Sequence, residues 1–347
     1  MKRKDVKSAI WVIAIVLMAY ASCKKDKKET PPVSDNITYN AAYVVNGGSN
    51  SISVIDLSTN EVKRTINLSN VMWPHHVYLN SAKTQIAIGV PGMDLSGGHN
   101  VNTTGMTGKF LVLGAVTASV VKTQDLPMMN HNAIFSPDGN EIWTSQMDTM
   151  GTVHVYDANT YALKNTINVG MMPAEVTFSA DGSMAFVANS MSDDVTAINA
   201  STKAVMTTIP VGMGPVGAWA GSNNKMYVDN EEGQSISVID APSMSVEETV
   251  PLGFMPGMAA YNSAMNELWV SDPDNGKVHY WTRIGSTWTH GGEFATGAGA
   301  HAIAFNSMTA YITNQLASTV SVADIMAHAV SKTITVGTKP NGITLKK

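Results

Sequence analysis

The 347-residue chain has a single cysteine, Cys23, which excludes a disulfide framework and a cysteine-rich zinc module. Charge is sparse as well: 14% of residues are charged, 22 basic against 27 acidic, for a net charge of −5. Lys2, Arg3, Lys4, Lys7, Lys24, Lys25, Lys27 and Lys28, against Asp5, Asp26 and Glu29, lie before residue 30, so everything after them carries −10. Nucleic-acid affinity comes mainly from phosphate neutralisation, and an acidic body of this kind excludes that class of partner. No phosphate loop, Gly-x-Ser-x-Gly elbow, HExxH helix or CxxCH haem site occurs.

The lone cysteine is explained by what precedes it. A basic start (MKRKDVK) leads into thirteen apolar residues, Ala9 to Ala21, and then into Ala21-Ser22-Cys23. Thirteen residues are short for a bilayer span and suit the apolar region of an export signal. Small residues just before a lone cysteine resemble a bacterial lipoprotein processing site. This pattern predicts a signal peptide at 1–22, lipid attachment at Cys23, and a charged, Pro-containing tether at 23–38 (KKDKKETPPVSDNIT after the cysteine). The expected location is the bacterial cell envelope, exported and held to a membrane by the lipid.

From residue 39 onward the chain repeats. One column is a strand ending in Asn or Asp: AYVVN (42–46), AFVAN (185–189), MYVDN (226–230), LWVSD (268–272) and AYITN (310–314), with weaker copies IAIGV (86–90) and IWTSQ (142–146). A second column alternates apolar and polar residues, as in SISVID (51–56 and 235–240) and TVSVAD (319–324). Its seven copies end at residues 56, 114, 157, 199, 240, 282 and 324. The spacing is close to 42 residues except for one long first gap, which marks an insertion at about 90–108. A third column follows a strand and a turn: WPHHV (73–77), MNHNA (129–133), MPAEV (172–176), GPVGA (214–218), MPGMA (255–259), GAHAI (299–303) and KPNGI (339–343). Four short strands per repeat, punctuated by Gly, Pro, Asn and Asp, are the unit of a propeller blade.

Seven copies predict an all-β, seven-bladed β-propeller of four-stranded blades over 39–347. The chain ends on an inner strand without its second strand and begins on a second strand without its inner one. Pairing the N- and C-terminal strands closes the ring and removes two sheet edges. The AYVTN-like and VSVID-like strands with a VGxxP turn resemble the YVTN-repeat family of seven-bladed propellers, which is found in exported and surface-layer proteins. The second repeat departs from that pattern by its insertion, and the second and sixth lack the turn proline. The resemblance implies a fold and says little about activity.

In such a meander the turns into the inner strand share a face with the turns between the second and third strands. Thirteen of the 22 methionines fall in those turns: 72, 93, 106, 128, 129, 147, 150, 171, 172, 191, 213, 255 and 258. His75, His76, His99, His131 and His301 fall there too. Along the inner strands, Val77, Ala133, Val176, Ala218, Ala259, Ile303 and Ile343 form an apolar column for packing between blades. The adjacent column, His76, Asn132, Glu175, Gly217, Met258, Ala302 and Gly342, is set to line the channel. Imidazole and thioether are ligands that copper accepts together. The expected metal ligands are therefore His75, His76, His131 and His301 with Met72 and Met129, and Asn132, Glu175 and Met258 line the channel beside them. Two adjacent histidines at a channel mouth also resemble the copper-cluster propeller of nitrous-oxide reductases, although this chain has fewer candidate histidines and no cysteine-bearing second copper domain. In regular extended strand, His75 and His76 would point apart.

His154 and His279 occupy positions where other repeats carry Ser53, Ser237 and Ser321, and they read as ordinary polar-face residues, while His290 lies in an irregular outer-strand stretch. The insertion, rich in Gly, Asn and Thr, is expected to project over the channel mouth as a lid. Three functions fit these features. The first is an envelope binding protein holding a ligand, copper foremost, at a Met/His-rich mouth. The second is a metalloenzyme or redox-partner domain using the same histidines, with Glu175 carrying protons. The third is a surface scaffold or adhesin that binds protein or glycan. For the anchor, Cys23→Ala is expected to move the protein from the membrane pellet to the soluble fraction on cell fractionation; retention in the pellet would count against lipidation.

Overall fold

A computed structural model describes residues 36–98 and 102–347. The expected signal peptide at 1–22, Cys23, the expected tether up to residue 35 and His99 lie outside the described residues. What is described forms seven four-stranded antiparallel sheets and no helix. Blade 1 runs Val77–Leu79, Gln85–Val90, Lys109–Gly114 and Val120–Asp125 from the axis outward; blade 2 runs Ile134–Phe135, Glu141–Gln146, Thr152–Asp157 and Leu163–Asn168. Blade 3 is Pro173–Phe178, Met184–Asn189, Asp194–Asn199 and Val205–Pro210, and blade 4 is Pro215–Ala220, Lys225–Asn230, Ser235–Asp240 and Ser245–Pro251. Blade 5 is Ala259–Asn262, Glu267–Asp272, Lys277–Ile284 and Thr287–Ala295, and blade 6 is Ala300–Asn306, Thr309–Asn314, Thr319–Asp324 and Ala329–Thr335. Blade 7 takes its inner strand, Pro340–Lys346, from the C-terminus and its other three, Ala41–Asn46, Ser51–Asp56 and Glu61–Asn67, from the N-terminus. The closing register pairs Ala41 with Lys346 and Val44 with Ile343.

The Asn that ends the second strand of the repeat has a mechanical role. In blades 3, 4, 6 and 7 its amide donates to two acceptors on the third strand: Asn46 to Ser51 and Ser53, Asn189 to Asp194 and Thr196, Asn230 to Ser235 and Ser237, Asn314 to Thr319 and Ser321. Each latch satisfies both N–H groups of a buried amide and pins the turn between the two strands. A second shared device is a β-bulge between the third and fourth strands, present in every blade. It sharpens the twist that lets the sheets radiate from one axis.

The core lies between blades. Tyr43, Val45, Ile52 and Val54 of blade 7 pack against Ile86, Ile88, Leu111 and Leu113 of blade 1, and similar clusters fill other junctions. Between blades 5 and 6, fully buried Trp269 meets Phe294, Ile303, Ile312 and Ala323, while its indole N–H donates to Glu267 Oε2 at 2.8 Å. The expected packing column is buried from Val77 to Ile303, and Ile343 is half-buried. Because Trp269 serves two blades at once, Trp269→Ala is expected to cost about 3–5 kcal/mol, read from urea unfolding; a cost under about 1 kcal/mol would show that the junction carries little of the stability.

Candidate metal centre

In blades 1, 2 and 5 the inner strands begin later than their sequence columns, and the residues before them bend. Proline at 74 donates no hydrogen bond, and Trp73 before it has φ of 57°, held by Asn50 Oδ1 accepting its N–H at 2.9 Å. His75 and His76 then form a bulge opposite the single residue Gly89: His75 N–H donates to Gly89 O, and Gly89 N–H donates to His76 O. The same two-against-one arrangement sets Ala174 and Glu175 opposite Ala188, His301 and Ala302 opposite Thr313, and Asn341 and Gly342 opposite Val45. A bulge breaks the alternation of side chains. His75 and His76 therefore do not point apart as extended strand would require; their ring centroids lie 4.5 Å from each other.

Two glycines let neighbouring blades close on this point. A Cβ at Gly89 would come within 2.6 Å of His131 O, and one at Gly342 within 2.8 Å of His76 Cα. The approach brings His131 of blade 2 to 4.3 Å from His75 and 4.9 Å from His76, centroid to centroid. Ligand atoms of His75, His76 and His131 all lie within 4.8 Å of one another, and the three side chains are buried. His301 of blade 6 adds a fourth ring, 5.8 Å from both His75 and His76, with Nδ1 3.3 Å from Asn341 O.

Glu175 of blade 3, fully buried, binds this group together. One oxygen, Oε1, lies 2.8 Å from both His76 Nε2 and His131 Nδ1. The other accepts from Tyr78 O–H at 3.0 Å and Asn132 Nδ2 at 3.2 Å. With the carboxylate set against Nε2 of His76 and Nδ1 of His131, Nδ1 of the first ring and Nε2 of the second are the nitrogens on the side away from Glu175. A carboxylate set against imidazoles is the usual support of a histidine-ligated metal.

The thioethers divide. Met129 is fully buried and joins Met147, Met172, Ala174, Val216 and Leu95 in an apolar layer, with Met93 and Met106 packed on it. Leu95, Met93 and Met106 belong to the insertion, which Lys339 also grips, its ammonium 2.8 Å from Asp94 Oδ2 and 2.7 Å from Ser96 Oγ. The described part of the insertion thus packs on this apolar layer and is held by Lys339. Met72 is 59% exposed and lines a surface cleft of about 400 Å³ with Val90, Thr107 and Lys109, away from the buried rings. Met258 lies half-buried, its sulfur accepting the Ile303 N–H at 3.3 Å.

Three lining groups have no place in the expected set: Tyr78, Trp219 and Asp229. The first two lie two residues beyond His76 and Gly217, where strand alternation returns to the channel side. The Trp219 ring stands 5.7 Å from His76, and a Cβ at Gly217 would strike its indole at 2.5 Å. Burial, followed by the repulsion of Glu231 and Glu175, raises the Asp229 carboxyl well above the usual range, although Oδ1 accepts Gly217 N–H at 2.6 Å. Burial, and then the charge of Glu175, likewise raise the Tyr78 phenol well above its ordinary value.

Fold and site together define the class: a seven-bladed β-propeller with a polyhistidine–carboxylate cluster in its channel. No known protein-family profile and no curated protein matches the chain. Among solved structures it is similar to a functionally unknown protein from Desulfotomaculum acetoxidans, with 16% identity over 88% of this chain and 98% of that one and a TM-score of 0.70. It is also similar to the Pseudomonas aeruginosa periplasmic gluconolactonase PpgL, with 14% identity, 89% and 99% coverage and a TM-score of 0.69. The dihydro-heme d1 dehydrogenase NirN matches at 12% identity, with 85% of this chain and 63% of that one covered and a TM-score of 0.64. At these identities the likeness is one of fold.

The folded state holds the Asp229 proton more tightly than the unfolded chain does. Its contribution to stability is present below about pH 4 and is lost as pH rises toward the raised folded value. Asp229→Asn, which keeps the acceptor for Gly217, is expected to flatten that decline and to exceed the parent in stability at pH 8. Urea unfolding at pH 4, 6 and 8 measures this, and parallel curves for the two proteins would contradict it.

Proposed function

We propose that this chain is a lipid-anchored cell-envelope propeller of the YVTN-repeat type that holds one copper ion in its channel. The observation that carries this reading is the convergence of His75, His76 and His131, with ligand atoms within 4.8 Å of one another. Around a tetrahedral ion, nitrogen ligands stand roughly 3.3 Å apart, a separation that small ring rotations supply here. Those rings are the ion's ligands, His301 stands at the edge of the site, and Glu175 orients His76 and His131.

The surroundings favour copper in its monovalent state. The ligands are neutral imidazoles, and the one carboxylate set directly against them is Glu175. A single positive charge balances it, whereas a divalent ion leaves net charge in a buried place, where uncompensated charge is costly. The thioether layer of Met129, Met147 and Met172 keeps water from the mouth and suits a soft ion. Ring burial favours a held ion over a turnover site, which needs an open coordination position. Export fits the N-terminal signal pattern and the periplasmic setting that one similar structure's name gives for that protein.

The test is elemental analysis of the protein, purified without a histidine tag, loaded with Cu(I) and desalted. About one copper per chain is expected to survive and to be lost in the His75→Ala/His131→Ala variant. Glu175→Gln is expected to weaken retention about 10–100-fold in a chelator competition. Equal copper in the parent and the double-histidine variant would falsify the site.

A further inference from the structure

The face that carries the turns into the inner strands also holds methionines that the fold does not use. Met150, Met171, Met191 and Met213 lie in turns of blades 2, 3 and 4 and are between 43% and 80% exposed. Other repeats show what those turns need. Met171 and Met213 stand in the turn into an inner strand, where Ala298 and Thr338 serve in blades 6 and 7. Met191 stands between a second and a third strand, where Gly48, Glu232 and Asp274 serve in blades 7, 4 and 5. A small or polar residue therefore suffices at these places, and an exposed thioether adds little to the packing of the blades.

The turns form one continuous strip. Asp148 O accepts the Met172 N–H at 2.8 Å, and Met171 O accepts the Met191 N–H at 3.3 Å. Further along, Asp193 Oδ1 accepts the Gly214 N–H at 2.8 Å, and Met213 O accepts the Gly233 N–H at 2.9 Å. Hydrogen bonds thus lace three neighbouring blades, and the methionines project from a held base while their side chains stay adaptable. Charge on the strip has one sign: residues 147–151, 169–172, 190–194, 211–214 and 231–234 include Asp148, Asp193, Asp194, Glu231 and Glu232 and no lysine or arginine. Asp148 and Asp193 each use Oδ1 to accept a backbone N–H, from Gly151 at 2.7 Å and from Gly214 at 2.8 Å, which fixes them among the methionines. Apolar side chains scattered singly over a surface are ordinary; four on one strip, edged with carboxylates, mark a contact surface.

The sign of the charge selects the occupant. An anionic bilayer or a nucleic acid is repelled, and a second copy docking face to face would set the same carboxylates against one another. We propose that this strip docks a lysine- or arginine-bearing amphipathic segment of a partner protein, whose apolar side chains meet Met150, Met171, Met191 and Met213 while its cations pair with Asp148 and Asp193. Flexible thioethers repack around apolar side chains of different shape, so the surface selects by charge and amphipathic pattern rather than by one fitted pocket. None of the channel histidines belongs to the strip, and its role does not depend on the channel reading.

Fluorescence anisotropy of the full-length protein with a short labelled peptide of leucine and lysine, at amphipathic-helix spacing, tests this. The parent is expected to bind it and not a leucine–glutamate peptide of the same pattern. Met171→Ser/Met191→Ser/Met213→Ser is expected to weaken binding about tenfold, with an unchanged circular dichroism spectrum because all three side chains are exposed. Asp148→Asn/Asp193→Asn, which keeps the acceptors for Gly151 and Gly214, is expected to weaken it to a similar extent at low salt and to flatten its salt dependence. Binding indifferent to both variants overturns the proposal, as does equal binding of the leucine–glutamate peptide. Dimerisation of the parent in sedimentation, abolished by the methionine variant, would assign the strip to a second copy and overturn it as well.

Discussion

Seven inner strands have to meet around one axis, and neighbouring backbones approach so closely there that a Cβ at Gly89 or Gly342 would clash. The chain meets this constraint with bulges and glycines. At blades 1, 3, 6 and 7 two inner-strand residues oppose one on the second strand. Gly89 and Gly342 admit the backbones of the adjoining blades at distances that a Cβ would forbid. These concessions to crowding are also what carry side chains to the axis. A bulge releases two successive residues from strict alternation, and adjacent His75 and His76 can then share one small volume with a ring from the next blade.

Glu175 makes that crowding chemically tolerable. Four buried imidazoles crowd the axis, and one carboxylate stands 2.8 Å from two of them while its second oxygen accepts from Tyr78 and Asn132. Blades 1, 2 and 3 are thereby tied at the axis by a single side chain. The insertion brings Leu95 and its methionines into an apolar layer shared with Ala174 and Val216, the neighbours in sequence of Glu175 and Gly217. The electrostatic consequence reaches Asp229, whose proton is held partly because Glu175 is near.

Where the repeat is kept, its residues serve the fold; where it is broken, other contacts replace the latch. The Asn latch recurs because an amide can satisfy two acceptors across the turn, a structural need common to the blades that carry it. Blade 5 gives up that latch for Asp272 and His279, and the outer-strand bulge that other blades use only to twist brings His290 beside them. The similar solved structures carry different chemistry in their names, as expected of an architecture that places sites without specifying them.

Seven repeats, their four-strand content, the position of the insertion and closure between the termini were all legible in the spacing and phase of the motifs, because strand alternation and turn residues are local properties. The grouping of His75, His76, His131, His301 and Glu175 at equivalent positions was legible too. Their convergence was not, since it rests on bulges and on backbone approaches at Gly89 and Gly342 that no spacing records. Tyr78 and Trp219 were accessible to the same alternation that picked out His76 and Gly217, followed one step further. His279 read as an ordinary polar-face residue because other repeats carry serine there, and only the one-residue shift between Tyr280 and Trp281 puts His290 on the same face. The sequence by itself therefore determined the ring; distances between side chains more than 50 residues apart were decided by how tightly the blades pack around its axis.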